Sequence, residues 1–111
     1  MDFQIEKSFD EKRNCWKVTL FGEIDIFNST DVKEQLTGLI EQKSVDMHVN
    51  CKQLTYIDST GLGALVGVLK RLKGENREMH LNNVRPNISK LFRITNLNKV
   101  FIIDEDGESN D

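Results

Sequence analysis

A chain of 111 residues with a formal net charge of −3 is close to the common size of one domain, so a single hydrophobic core is expected and no second domain fits. Hydrophobic residues at 38% and charged residues at 30% describe an ordinary globular composition, and the longest apolar runs fall far short of the roughly 20 residues that cross a bilayer. The negative balance excludes a general attraction for nucleic acid and leaves proteins as the expected partners. The first nine residues include Asp2, Glu6 and Lys7 and lack the apolar segment of a secretory signal, so a cytoplasmic location is expected.

Phe3 and Ile5, then Trp16, Val18 and Leu20, alternate with polar residues. Glu11 to Asn14 form a polar turn between them, which predicts an opening strand pair that ends at Gly22. Asn28-Ser29-Thr30-Asp31 precedes Val32, Leu36, Leu39 and Ile40 at helical spacing, with Asn28 or Ser29 able to cap a first helix that runs to about Gln42. Val45, Met47, Val49 and Cys51 alternate with Asp46, His48 and Asn50, a period of two that predicts a strand with one wetter face and helices mainly on the other.

After Asp58, an apolar stripe of Leu62, Leu65, Val66, Leu69 and Leu72 predicts a second helix closed by Gly74. Met79, Leu81 and Val84 predict a further strand. Pro86 then starts a short helix with Ile88, Leu91, Phe92 and Ile94, and Val100 to Ile103 form a last strand. The acids Asp104, Glu105, Asp106, Glu108 and Asp111 leave residues 104–111 as a solvated tail behind a domain of residues 1–103. Alternating strands and helices define an α/β fold of βαβ units, and the opening hairpin makes its sheet mixed.

In Ile57-Asp58-Ser59-Thr60-Gly61-Leu62-Gly63 a strand passes directly into a helix, which places Ser59 at a helix N-terminus on the C-terminal edge of the sheet, where α/β proteins carry their sites. Unpaired N–H groups and the helix dipole favour an anion there by about 0.3–1 kcal/mol, so a phosphate on Ser59 is compatible with the fold. The same phosphate adds about 1.5–2 negative charges beside Asp58 and repels any partner surface shaped for a neutral hydroxyl. A loss of about 3 kcal/mol in such an interface weakens affinity more than a hundredfold. Gly61 and Gly63 each cost about 1 kcal/mol in a helix, which is accounted for if a partner approaches the backbone. Plain helix capping by Asp58, Ser59 or Thr60 explains the same residues. Spacing alone leaves both readings open.

The segment Tyr56-Ile57-Asp58-Ser59-Thr60-Gly61-Leu62-Gly63 resembles the phosphorylation motif of the bacterial anti-sigma factor antagonists, which are built on the STAS domain. Phe21-Gly22-Glu23-Ile24-Asp25 is similar to the pattern that ends the second strand in that family, and Lys90 to Leu97 to its late short helix and turn. The resemblance runs in order from Phe3 to Ile103. It implies a STAS-like domain and a partner-switching cycle in which an anti-sigma factor that is also a serine kinase phosphorylates the antagonist and a PP2C-type phosphatase restores it. Only the unphosphorylated antagonist then binds the anti-sigma factor and frees the sigma factor. Carried to this chain, the resemblance implies Ser59 as phosphoacceptor, with Thr60 second, and a partner interface of Asp25, Asp58, Ser59, Thr60, Gly61, Leu62 and Gly63. His48 and Asn50 make their strand more polar than is usual in the family, and Cys51-Lys52-Gln53 lacks the acid often found before the motif strand.

Other chemistries fit less well. Gly61-Leu62-Gly63 lacks the third glycine of a dinucleotide fingerprint, and no glycine-rich loop ends in Lys-Ser or Lys-Thr. Cys15, Cys51, His48 and His80 have no metal-ligand spacing, so buried reduced thiols and structural histidines are expected, with neither metal nor cofactor. A serine hydrolase needs a base near Ser59 that neither histidine supplies. An aspartyl-phosphate receiver needs more than the acids Asp25 and Asp58. Lys70, Arg71, Lys73 and Arg77 read as a solvated helix end. The chain is therefore expected to be a regulator and not an enzyme. A STAS-type sensory module that binds a nucleotide or other small ligand is the alternative, and a regulator of an enzyme unrelated to transcription a third.

Overall fold

The computed structural model describes residues 3–105. The strands β1 (Phe3–Asp10) and β2 (Cys15–Ile24) form an antiparallel hairpin, followed by helix α1 (Ser29–Gln42) and strands β3 (Asp46–Asn50) and β4 (Leu54–Ile57). Helix α2 (Ser59–Gly74), strand β5 (Met79–Val84), helix α3 (Pro86–Ile94), a single 3-10 turn (Leu97–Lys99) and strand β6 (Ile102–Glu105) complete the domain. The sheet order is β1-β2-β3-β5-β6, with β4 paired to β2 beside this path. All pairs except β1 with β2 are parallel. The mixed sheet and βαβ units match the sequence expectation.

The long strand β2 changes partner along its length. Cys15 to Thr19 pair with β3, whereas Gly22 to Ile24 pair with β4. The chain between β3 and β4 turns at Cys51, whose carbonyl accepts from Leu54 N–H at 3.0 Å, and Gly22 N–H reaches Gln53 O at 2.9 Å. Gly22 has φ 95°, a region strained for any residue with a Cβ, at the register shift between Gly22 and Glu23. Periodicity alone did not reveal that β3 and β4 are separate strands.

Trp16, Val18, Leu20, Met47, Val49, Met79 and Leu81 alternate inward and pack with Leu36, Leu65, Leu69, Leu72, Ile88 and Phe92 from the three helices in one core. Phe101 joins them edge-on to Phe92 with ring centroids 5.3 Å apart. Both cysteines are buried and unpaired, and burial pushes the Cys51 thiol up to about 12. Two ends differ from expectation. Helix α2 runs through Gly74, and the left-handed residue beyond it is Asn76 at φ 61°. The last strand begins at Ile102 and includes Asp104 and Glu105, because pairing with β5 continues to Glu105 opposite Val84. Residues 106–111 of the acidic tail lie outside the described residues.

The opposite face of the sheet carries Lys17, Thr19, His48, Asn50, His80 and Asn82, in strand registers that place His48 beside His80. Their rings stack with centroids 4.2 Å apart and planes 7° from parallel. Partial burial, and then the neighbouring His80, hold His48 below its ordinary value of 6.5. The unfolded chain thus binds the proton more readily than the folded one. His48's contribution to stability is complete above pH 6.5 and is lost as pH falls below it. Urea denaturation at pH 7.5 and 5.5 should show lower stability at the acidic pH, and His48→Gln should flatten that difference; an unchanged difference would refute the assignment to His48.

Candidate functional site

Two junctions meet at the C-terminal edge of the sheet, the β2–α1 loop and the β4–α2 turn. Asp58 caps α2, since its Oδ1 accepts from Gly61 N–H at 3.0 Å and from the Thr60 hydroxyl at 2.5 Å. These two bonds, with smaller contributions from the backbone N–H groups of Thr60 and Ile26, hold the Asp58 carboxyl below its ordinary range. It is therefore ionised at neutral pH. The Asp58 backbone N–H also bonds Ile24 O at 3.2 Å, so both its main chain and its side chain join α2 to the end of β2.

The β2–α1 loop is closed by its own side chains. Asp25 N–H donates to Asn28 Oδ1 at 3.0 Å, Asn28 Nδ2 donates to Glu23 O at 2.8 Å, and Phe27 N–H donates to Asp25 Oδ1 at 3.0 Å. Asp25 O accepts from Ser29 N–H at 2.9 Å and Asn28 N–H at 3.2 Å. The expected side-chain cap of α1 is absent, because the Asn28 amide is occupied in this loop and Ser29 is buried within the helix.

Ser59 is the first residue of α2 and is exposed. Its hydroxyl makes no hydrogen bond among the described residues, whereas the Thr60 hydroxyl is half-buried and bound to Asp58. The cap is thus Asp58, and among the described residues nothing engages the Ser59 hydroxyl. Gly61 and Leu62, which the resemblance also implies in the partner interface, are both buried in the structure. A Cβ on Gly61 would stand 2.6 Å from Ile57 Cγ1, 2.8 Å from Ile24 Cγ2 and 3.0 Å from Ile24 O. The glycine is explained by this close seat of α2 on the sheet and not by a partner's approach.

Gly63 is exposed, and a Cβ there would meet nothing within 4 Å. It lies with Thr60, Ser29, Thr30 and Lys33 along a groove of about 400 Å³ between α1 and α2. The exposed apolar pair Ile26 and Phe27 beside Asp25 went unnoticed in the sequence; an Ile-Phe dipeptide in a loop, outside any periodic stripe, was the available signal.

A family model described as the STAS domain matches residues 6–109, and the chain belongs to the STAS domain family. Within it, the chain is similar to anti-sigma factor antagonists. It is 33% identical over 108 residues to the anti-sigma-B factor antagonist of Staphylococcus aureus, covering 97% of this chain and 98% of that one. With that of Staphylococcus epidermidis it shares 33% over 93 residues, covering 84% and 86%. Among solved structures, unphosphorylated SpoIIAA, an anti-sigma factor antagonist, is 25% identical with a TM-score of 0.66 over 84% of this chain and 83% of that one. An anti-sigma factor antagonist from Mycobacterium paratuberculosis shares the fold at 17% identity and a TM-score of 0.75 over 91% and 86%.

The two glycines should respond oppositely to alanine. Gly61→Ala should destabilise the domain by about 1–3 kcal/mol through overpacking, whereas Gly63→Ala should stabilise it by up to about 1 kcal/mol through helix propensity. Equilibrium urea denaturation of both variants checks this, and equal effects of one sign would contradict the packing described for Gly61.

Proposed function

We propose that this chain is an anti-sigma factor antagonist whose binding to its anti-sigma factor is switched off by phosphorylation of Ser59. The single observation that carries the reading is the exposed, unbonded Ser59 hydroxyl at the first position of α2, beside a carboxylate that already caps the helix. The family and the full-length similarity to antagonists support it, and SpoIIAA, to which the chain is similar, has been solved both with and without its phosphate. No helix among the described residues is long and apolar enough to cross a membrane. The whole-length relatives bear the name antagonist, which does not favour a small-ligand sensor.

In this mechanism the chain catalyses nothing. A serine kinase that is also the anti-sigma factor docks on the edge formed by Asp25, Asp58, Ser59, Thr60 and Gly63 and transfers the γ-phosphoryl group of its ATP to the Ser59 oxygen, with ADP as leaving group and the hydroxyl proton released. Asp58 and Thr60 occupy one another, leaving Ser59 as the accessible acceptor. The product carries about 1.5–2 further negative charges next to the ionised Asp58, so a partner surface that accepted a neutral hydroxyl now meets repulsion. The positive end of the α2 dipole offsets part of the charge within the domain. A PP2C-type phosphatase then hydrolyses the phosphoserine with water, restoring the Ser59 hydroxyl and releasing inorganic phosphate.

Incubation with ATP and the serine-kinase anti-sigma factor that the chain binds should add one phosphate, mapped to Ser59 by mass spectrometry and absent from Ser59→Ala. Ser59→Asp should weaken binding more than a hundredfold in calorimetry while shifting the melting temperature by no more than a few degrees. Label on Ser59→Ala at the wild-type level would sink the mechanism.

A further inference from the structure

Phe27 is 93% exposed and its neighbour Ile26 is 66% exposed. Side chains of this size on a soluble domain are ordinarily covered, and isolated ones are common on flexible loops. This loop is not of that kind. Five hydrogen bonds fix the backbone from Glu23 to Ser29, one of them from the Phe27 N–H itself. The loop is also joined to the start of α2, because Asp58 N–H bonds Ile24 O and the Ile26 N–H faces the Asp58 carboxylate. Phe27 is therefore an aromatic ring presented on a rigid support that is continuous with the edge carrying Ser59.

Resting on the reading under Proposed function, we propose that Phe27, with Ile26 beside it, is the apolar anchor by which the anti-sigma factor grips this chain, inserting into an apolar pocket rimmed by basic side chains. The occupant follows from two features. The carboxylates of Asp25 and Asp58 lie against the backbone N–H groups of Phe27 and Ile26, so the complementary surface is cationic beside the apolar pocket. With the backbone beneath it already fixed, binding orders only the side-chain torsions of Phe27, a small cost for an aromatic anchor. The division of labour is then clear. Phe27 provides grip that does not depend on the phosphorylation state, while Ser59 decides whether the neighbouring contact is tolerated. A kinase can thereby hold the chain while it acts on Ser59.

The test measures affinity for the anti-sigma factor that the wild-type chain binds, using Phe27→Ala, Phe27→Tyr, Ser59→Asp and, as control, Ile94→Ala. Ile94 is 68% exposed and ends α3, outside the β2–α1 loop. Phe27→Ala should weaken binding about thirtyfold, a hot-spot loss of about 2 kcal/mol at about 1.4 kcal/mol per tenfold, and raise the KM for phosphorylation without lowering kcat. Phe27→Tyr should stay within about threefold of wild type, and Ile94→Ala should have no effect. Melting temperatures of the Phe27 and Ile94 variants should be unchanged. Wild-type affinity in Phe27→Ala, or equal losses in Phe27→Ala and Ile94→Ala, would overturn the anchor. If at the same time Ser59→Asp abolishes binding, the switch at Ser59 stands without it; if Ser59→Asp binds normally, the switch itself falls, whatever Phe27 does.

Discussion

The site depends on how closely α2 sits on the sheet. With no Cβ on Gly61, the first turn of the helix rests directly on Ile24 and Ile57, the last residues of two neighbouring parallel strands. That contact brings the end of β2 and the start of α2 within hydrogen-bonding reach, and the bond from Asp58 N–H to Ile24 O follows from it. A larger residue at position 61 would lift the helix from the strands and separate the loop that holds Asp25 from the turn that holds Ser59. The packing of one buried glycine thus determines the relation between two surface features.

Asp58 connects this packing to the electrostatics. Its carboxylate satisfies a helix-end donor, engages the Thr60 hydroxyl and remains ionised. Asp25 performs a parallel task in the β2–α1 loop, where its side chain accepts from Phe27 N–H and its carbonyl from the start of α1. Each acid is held by backbone donors, so the negative charge at this edge is fixed in position. A negatively charged group added there meets a preset field, and its effect is felt by whatever approaches from outside.

Much of this was legible in the sequence, because the signals are local. Period-two alternation in β2 and β3, the helical stripes of α1 and α2, and Pro86 at the start of α3 each mark an element by chemistry within a few residues. The position of Ser59 at a strand-to-helix junction was equally plain. What was hidden depends on tertiary contact. The division of labour between Asp58 as cap and Ser59 as free hydroxyl cannot be read from three consecutive capping residues. The reason for Gly61 lies in Ile24 and Ile57, remote or unremarkable in sequence. The break between β3 and β4 arises because β2 changes partner at Gly22, and the diversion of Asn28 from capping to loop closure is visible only once Glu23 and Asp25 are in place.

The partner change in β2 also has a kinetic meaning. Among the strand pairs, only β1 with β2 is local; every other pair joins strands separated by at least one helix, and β2 with β4 spans both α1 and β3. Long loops must close before such pairs return any contact energy, which places the domain among the slower-forming mixed folds. The edge bearing Ser59 needs the β2–β4 closure together with the docking of α2. A chain still emerging from the ribosome, with β1, β2 and α1 already made, therefore lacks this edge, which forms only when β4 and α2 have joined β2.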